Sequence, residues 1–161
     1  MNYTAFKASA PELAAILEQR LRETGICLLG TIRFDGWPRI SPIEAYIVGG
    51  ELTLGMMWQS TKARDLLRDP RITVATAQCD KDGKDGDLKL YGHVIEVADP
   101  DMRNAHADVQ EALIQWRPTE PYHLFKVDIQ SAGYISFGND RRLLRWTPAR
   151  GVERLTHPEP A

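Results

Sequence analysis

The sequence predicts a mainly β, α+β protein: a small closed barrel of six to eight antiparallel strands with about three flanking helices. Three observations predict it. Short β-rich runs follow one another across tight turns, Asp35-Gly36 and Gly49-Gly50 foremost. Helical stretches interrupt this meander instead of alternating with every strand. No GxGxxG follows a strand and no P-loop occurs, so a doubly wound dinucleotide fold has no support.

Taken in order, Ser9-Ala-Pro-Glu12 reads as a capping box with proline inside the first turn. Leu13, Ile16, Leu17 and Leu21 recur at helical spacing to about Thr24, and Gly25 ends that helix. Ile26–Phe34, Arg39–Val48 and Glu51–Met57 then form a three-strand meander. Pro38 and Pro42 cannot donate to a ladder, which places the second strand at an edge, a bulge or a site. A short helix runs from Ser60 to Asp69, stopped by Pro70, and a strand follows over Arg71–Cys79. Asp80–Asp87 is a mobile, acidic, glycine-containing loop, and Leu88–Val97 is a long strand. Asp99-Pro100 starts a helix to about Trp116. His123–Ile129, Gly133–Phe137 and Arg142–Trp146 are read as three closing strands. The proline-containing tail from Pro148 is expected on the surface or disordered.

With 161 residues, one domain is expected, its core at about residues 10–148. A net charge of −2 gives no reason to expect nucleic acid, which would want a basic face, or an anionic membrane. No signal-type segment and no apolar run of ~20 residues occurs, so the expected location is cytoplasmic. Asn2-Tyr-Thr4 fits a glycosylation acceptor, which carries no meaning without secretion. Cys27 and Cys79 lie far apart in apolar runs and read as buried free thiols.

Several chemistries lack their residues. The histidines His93, His106, His123 and His157 show no metal spacing and no HExxH; His93 and His123 read as structural, His157 as solvated. The Asp80–Asp87 run fails the calcium-loop pattern at Lys84 and has no closing glutamate. No Gly-x-Ser-x-Gly elbow is present.

One segment carries a positive signal: Trp58-Gln-Ser-Thr-Lys-Ala-Arg, at the start of the short helix. A helix N-terminus offers unpaired N–H groups and the positive dipole end, and Ser60, Thr61 and Lys62 placed there suit an anion, typically a phosphate. Capping alone explains Ser60 and, in part, Thr61. It does not explain Lys62, whose charge opposes the dipole unless an anion is bound. Met56, Met57 and Trp58 offer an apolar wall for a ring system, although strand alternation sends one methionine to the core.

In this order and spacing, three segments resemble the pyridoxamine 5'-phosphate oxidase-like flavoproteins, which adopt the FMN-binding split β-barrel. They are Gly30–Pro42, Leu54–Arg71 and Leu88–Glu96, the last containing Gly92. The resemblance implies a homodimeric oxidoreductase with FMN bound in grooves at the dimer interface. It implies that Arg39, Ile40, Ser41 and Pro42 line the isoalloxazine or ribityl side and that Met57 and Trp58 flank the ring. Ser60, Thr61 and Lys62 would hold the phosphate, with Lys89 and Trp146 reaching in from the second chain. The sequence departs from the vitamin B6 oxidases at Thr61, where they carry arginine. It also ends in Leu144-Arg-Trp-Thr-Pro148 and lacks their Arg-x-His. It is thus more similar to relatives that use the deazaflavin coenzyme F-420. The basic set Lys62, Arg64 and Arg68 suits such a longer acidic tail. The implied chemistry is hydride transfer to or from a small molecule, with Arg39 or N–H groups near Ser41 facing the ring's N1–C2 edge. The alternative is a flavin or haem carrier on the same fold without turnover.

Overall fold

The computed structural model describes residues 1–78, 80–138 and 141–156. Its eight strands are β1 (Ile26–Ile32), β2 (Pro38–Val48), β3 (Glu51–Met57), β4 (Arg71–Thr76), β5 (Asp87–Glu96), β6 (Tyr122–Ser136), β7 (Arg142–Thr147) and β8 (Gly151–Arg154). Its four helices are α1 (Tyr3–Ser9), α2 (Pro11–Thr24), α3 (Thr61–Arg68) and α4 (Pro100–Ile114). The sheet order is β3-β2-β1-β4-β5-β6-β7-β8, and β3 also pairs with β6. That pairing closes β1 to β6 into an antiparallel barrel, with β7 and β8 as an extension. Among the described residues no helix is long and apolar enough to cross a membrane.

The tight turns form where glycine supplies positive φ: 83° at Gly36, 56° at Gly49 and 80° at Gly50. Alternation along each strand sends one face inward. Cys27 and Leu29 of β1, Ile43 and Ala45 of β2, Leu54 and Met56 of β3 and Phe125, Val127 and Ile129 of β6 share one core with Leu13 and Leu17 of α2. The Asp80–Asp87 run links β4 to β5 as a series of turns, with the Asp80 carboxylate accepting from the N–H groups of Asp82 and Lys84, both at 2.9 Å. Cys27 is buried and free, and burial pushes its thiol up to about 12. Cys79 and His157 lie outside the described residues.

Four expectations are corrected. First, Ser9 is not a helix cap: it ends α1, and its hydroxyl accepts from the Trp146 indole N–H at 2.9 Å. Second, α1 is an additional helix capped by Asn2, whose side chain accepts from the Ala5 N–H at 2.9 Å. Third, β6 is one continuous strand, because its register against β5 shifts at Tyr91/Gly92 and pairing then resumes on both sides. Fourth, the tail forms β8, whose Leu144↔Arg154 and Trp146↔Val152 pairings extend the sheet.

The bulge explains Gly92. A Cβ there would lie 2.0 Å from the Asp128 carbonyl oxygen, so β5 and β6 cross too closely for any side chain. Gly92→Ala is expected to cost about 1–3 kcal/mol of stability by forcing the strands apart. A denaturation midpoint unchanged from wild type would contradict this.

On the outer face of β3, α4 buries His106. Thr53 Oγ1 donates to the Tyr46 carbonyl at 3.1 Å and so accepts from His106 Nδ1–H at 2.9 Å. His106 Nε2 is then an unprotonated, buried nitrogen facing Gly55, where a Cβ would approach within 2.7 Å. Burial, with the Arg103 charge adding to it, pulls the His106 imidazole down to about 4. The folded chain therefore resists a proton that the unfolded chain accepts near 6.5. This contribution is complete above pH ~6.5 and is lost as pH falls toward ~4, on the order of 3 kcal/mol. Urea unfolding across that range should show a flatter pH profile for His106→Gln than for wild type. Equal slopes would remove His106 as the cause.

Candidate functional site

At the end of β3 the chain leaves the barrel. Met56 stays in the core at 4% exposure, whereas Met57 is 76% exposed and Trp58 53%. Gln59 adopts φ 52°, which turns the chain into α3. Ser60 occupies the N-cap position, but its hydroxyl makes no cap bond, correcting the simple capping account. Ser60 Oγ is buried without a hydrogen-bond partner, and the first turn of α3 holds no acidic residue. The helix start therefore keeps both its orphan N–H groups and an unspent hydroxyl.

Lys62 bridges from this turn to the barrel. Its Nζ donates to the Pro42 carbonyl at 3.0 Å. Burial pulls its ammonium below the ordinary lysine value, and the Glu44 carboxylate partly offsets this. A half-buried cation held by one neutral carbonyl is electrostatically underpaid, and an anion beside it would restore the balance. Thr61 and Arg64 are exposed on the same helix.

The helix is braced from beneath. Asp65 is 4% exposed and accepts from Arg39 Nε at 2.7 Å and Thr31 Oγ1 at 3.0 Å. Burial alone would raise its carboxyl, but these bonds and the charges of Arg39 and Arg68 hold it below the usual range. Arg39 is thus tied to α3, and its Nε is not available to a ring edge. Arg68 likewise points away from the helix start, donating to the Ile32 carbonyl and lying 3.5 Å from Asp65.

Between β2, β3, α4 and the Trp116–Tyr122 loop lies a cleft of about 590 Å³. Pro42, Met57, Trp58 and Lys62, four of the residues named in the sequence as cofactor contacts, line it. Its other lining residues include Met56, Glu44, Gln110, Trp116, Pro121 and Tyr122, and of these only Met56 was given a site role in the sequence. The one available signal was the run of Trp116, Pro118 and Pro121 after a helix. A second cleft of about 310 Å³ shares Trp58, Pro121 and Tyr122 with the first.

Ile40 is 73% exposed and Ser41 half-buried on the same stretch of β2. Lys89 faces outward on β5 and pairs with Asp87. Register places Pro42, Leu28, Ala75 and Lys89 in one row across the sheet. Three strand spacings, roughly 14 Å, separate Lys89 from Pro42, so Lys89 does not reach the cleft of its own chain. Trp146 is a correction: it is 0% exposed, packed edge-on against Phe6 at 4.9 Å, and belongs to the core rather than to a partner's groove.

A family model described as pyridoxamine 5'-phosphate oxidase matches residues 13–136. The chain belongs to the pyridoxamine 5'-phosphate oxidase family. The matched span takes in α2 from Leu13 onward, α3, α4 and the whole closed barrel, and leaves out α1, β7 and β8. No curated protein sequence matches. Among solved structures, the chain is similar to a haem-binding protein from Mycobacterium smegmatis (TM-score 0.67, 20% identity), covering 85% of this chain and 58% of that one. It is similar to PhzG from Burkholderia lata, solved with tetrahydrophenazine-1-carboxylic acid (0.61, 13%), over 91% of each chain. It is also similar to HutZ, a haem storage protein from Vibrio cholerae (0.58, 14%), covering 73% of this chain and 90% of that one. At these identities the likeness shows the fold. Every site residue expected from the family resemblance except Trp146 falls within the span that matches the pyridoxamine 5'-phosphate oxidase family.

Proposed function

We propose that this chain is a flavin-dependent oxidoreductase that binds FMN, or alternatively the deazaflavin F-420, and exchanges hydride with a small molecule. The observation that carries this reading is the start of α3, where an orphaned Ser60 hydroxyl lies two residues from Lys62, whose half-buried ammonium borders a cleft lined by Met57 and Trp58. These residues fit a phosphate in charge and in unspent hydrogen-bonding capacity. Thr61 and Arg64 flank that phosphate, while Pro42, Met57 and Trp58 border the ring. The cofactor supplies the hydride chemistry. The chain binds, orients and excludes water, and no side chain is assigned as acid or base.

A homodimer completes the reading. Ile26, Leu28, Ile40 and Tyr91 are exposed on the outer face of β1, β2 and β5, beside the cleft. That face is apolar enough to pair with a second copy, whose Lys89 would then approach the groove. Light scattering should give a two-chain mass.

Titration with FMN and with the deazaflavin tests the cofactor. Failure of both to bind below about 100 μM, roughly −5.5 kcal/mol, removes the reading. The second reading is a carrier without turnover, favoured by the haem-binding structural neighbours. Tight haem binding without flavin binding, or a bound flavin that NAD(P)H and reduced deazaflavin leave oxidised, would select it. True pyridoxamine phosphate oxidation is disfavoured by Thr61 and the missing Arg-x-His, and an assay for pyridoxal phosphate decides it.

A further inference from the structure

We propose that His123 is a positioning residue: it holds the Trp58 indole as a fixed wall between the two clefts, and Glu96 fixes the His123 ring in turn. Trp58 is half-exposed on the last residues before the Gln59 turn, where an indole is free to rotate unless a neighbour stops it. His123 is that neighbour. Its ring lies 4.4 Å from the indole with only 8° between the planes.

His123 is itself anchored. It stands on β6 opposite Met56 and is 2% exposed. The Phe125 ring, nearly parallel to it at 18°, lies 6.0 Å away. His123 Nδ1 is 2.7 Å from Glu96 Oε1, and because an ionised carboxylate only accepts, Nδ1 carries the proton. Nε2 has no partner and stays buried. Turning the imidazole would break the Glu96 bond and leave Nδ1–H unpaired as well. The stack of Phe125, His123 and Trp58 therefore transmits the rigidity of the barrel to a side chain at its mouth. Trp58 lines both clefts, so its plane sets the shape of each.

The affinity part of the test rests on the flavin reading above, but the fluorescence part does not. In a Trp37→Phe/Trp116→Phe background only Trp58 and the buried Trp146 emit. There, His123→Ala should lower the Trp58 fluorescence anisotropy. In the otherwise native protein it should weaken FMN binding by about three- to tenfold. His123→Phe keeps a flat ring but loses the Glu96 bond, so both readouts should fall between wild type and His123→Ala. Glu96→Ala, which loses the same bond and also keeps a flat ring, should match His123→Phe, and Glu96→Gln, which retains an acceptor, should resemble wild type. If His123→Ala does not fold, His123→Leu carries the comparison. Unchanged anisotropy in the alanine or leucine variant, or equal losses in the alanine and phenylalanine variants, would overturn the proposal. If FMN does not bind the parent protein, the cofactor reading fails and anisotropy alone decides the role of His123.

Discussion

Trp146→Ala is expected to lower unfolding stability by about 3–5 kcal/mol. The indole is fully buried, meets Phe6 at 83° and donates its N–H to Ser9. Its removal opens a cavity between α1 and β7, loses an aromatic contact and leaves the Ser9 hydroxyl without its donor. The midpoint of guanidinium unfolding measures this. Flavin affinity, measured where the variant remains folded, should stay near wild type. A stable variant with weakened flavin binding would restore Trp146 to the cofactor groove and contradict the packing.

Lys62→Ala is expected to weaken FMN binding by ~1.5–3 kcal/mol, roughly 10- to 150-fold in Kd. Stability should hardly change. Lys62 makes one hydrogen bond to Pro42, and its charge opposes the α3 dipole in the free protein. Isothermal titration and a thermal melt separate the two effects. Lys62→Arg, which keeps the charge, should recover part of the affinity. Loss of folding with unchanged affinity would refute the assignment.

The parts of the fold that rest on local chemistry were legible in the sequence. Asp35-Gly36 and Gly49-Gly50 announce their turns because positive φ demands glycine or its few substitutes. The α3 start is legible because Ser60, Lys62 and Pro70 sit at defined offsets from a helix. What was missed depends on contacts between distant residues. Seven residues of α1 are too short to show periodicity, and only Asn2 marks their start. The gap at residues 130–132 between the two expected strands hides a continuous β6, because pairing with β5 carries the chain through it across a register shift. Alternation puts Leu144 and Trp146 on one face of β7 but does not say that this face meets α1. The cleft shows the same division. Lys62 and Trp58 lie in one recognisable run, whereas Glu44, Trp116 and His123 join the site only after the barrel has closed.

The first half of β2 is where the barrel stays open. Pro38 to Glu44 pair with β1, but β2 meets β3 only from Ala45 to Val48. Along the unpaired side, backbone groups of Pro38, Ile40, Pro42 and Glu44 face outward in turn, and both prolines lack an N–H. The Pro42 carbonyl is already taken by Lys62. An exposed strand edge normally invites a foreign strand to dock and seed aggregation. Here alternate donors are missing and a lysine guards the acceptor, so the opening can admit a small molecule while refusing another polypeptide's backbone.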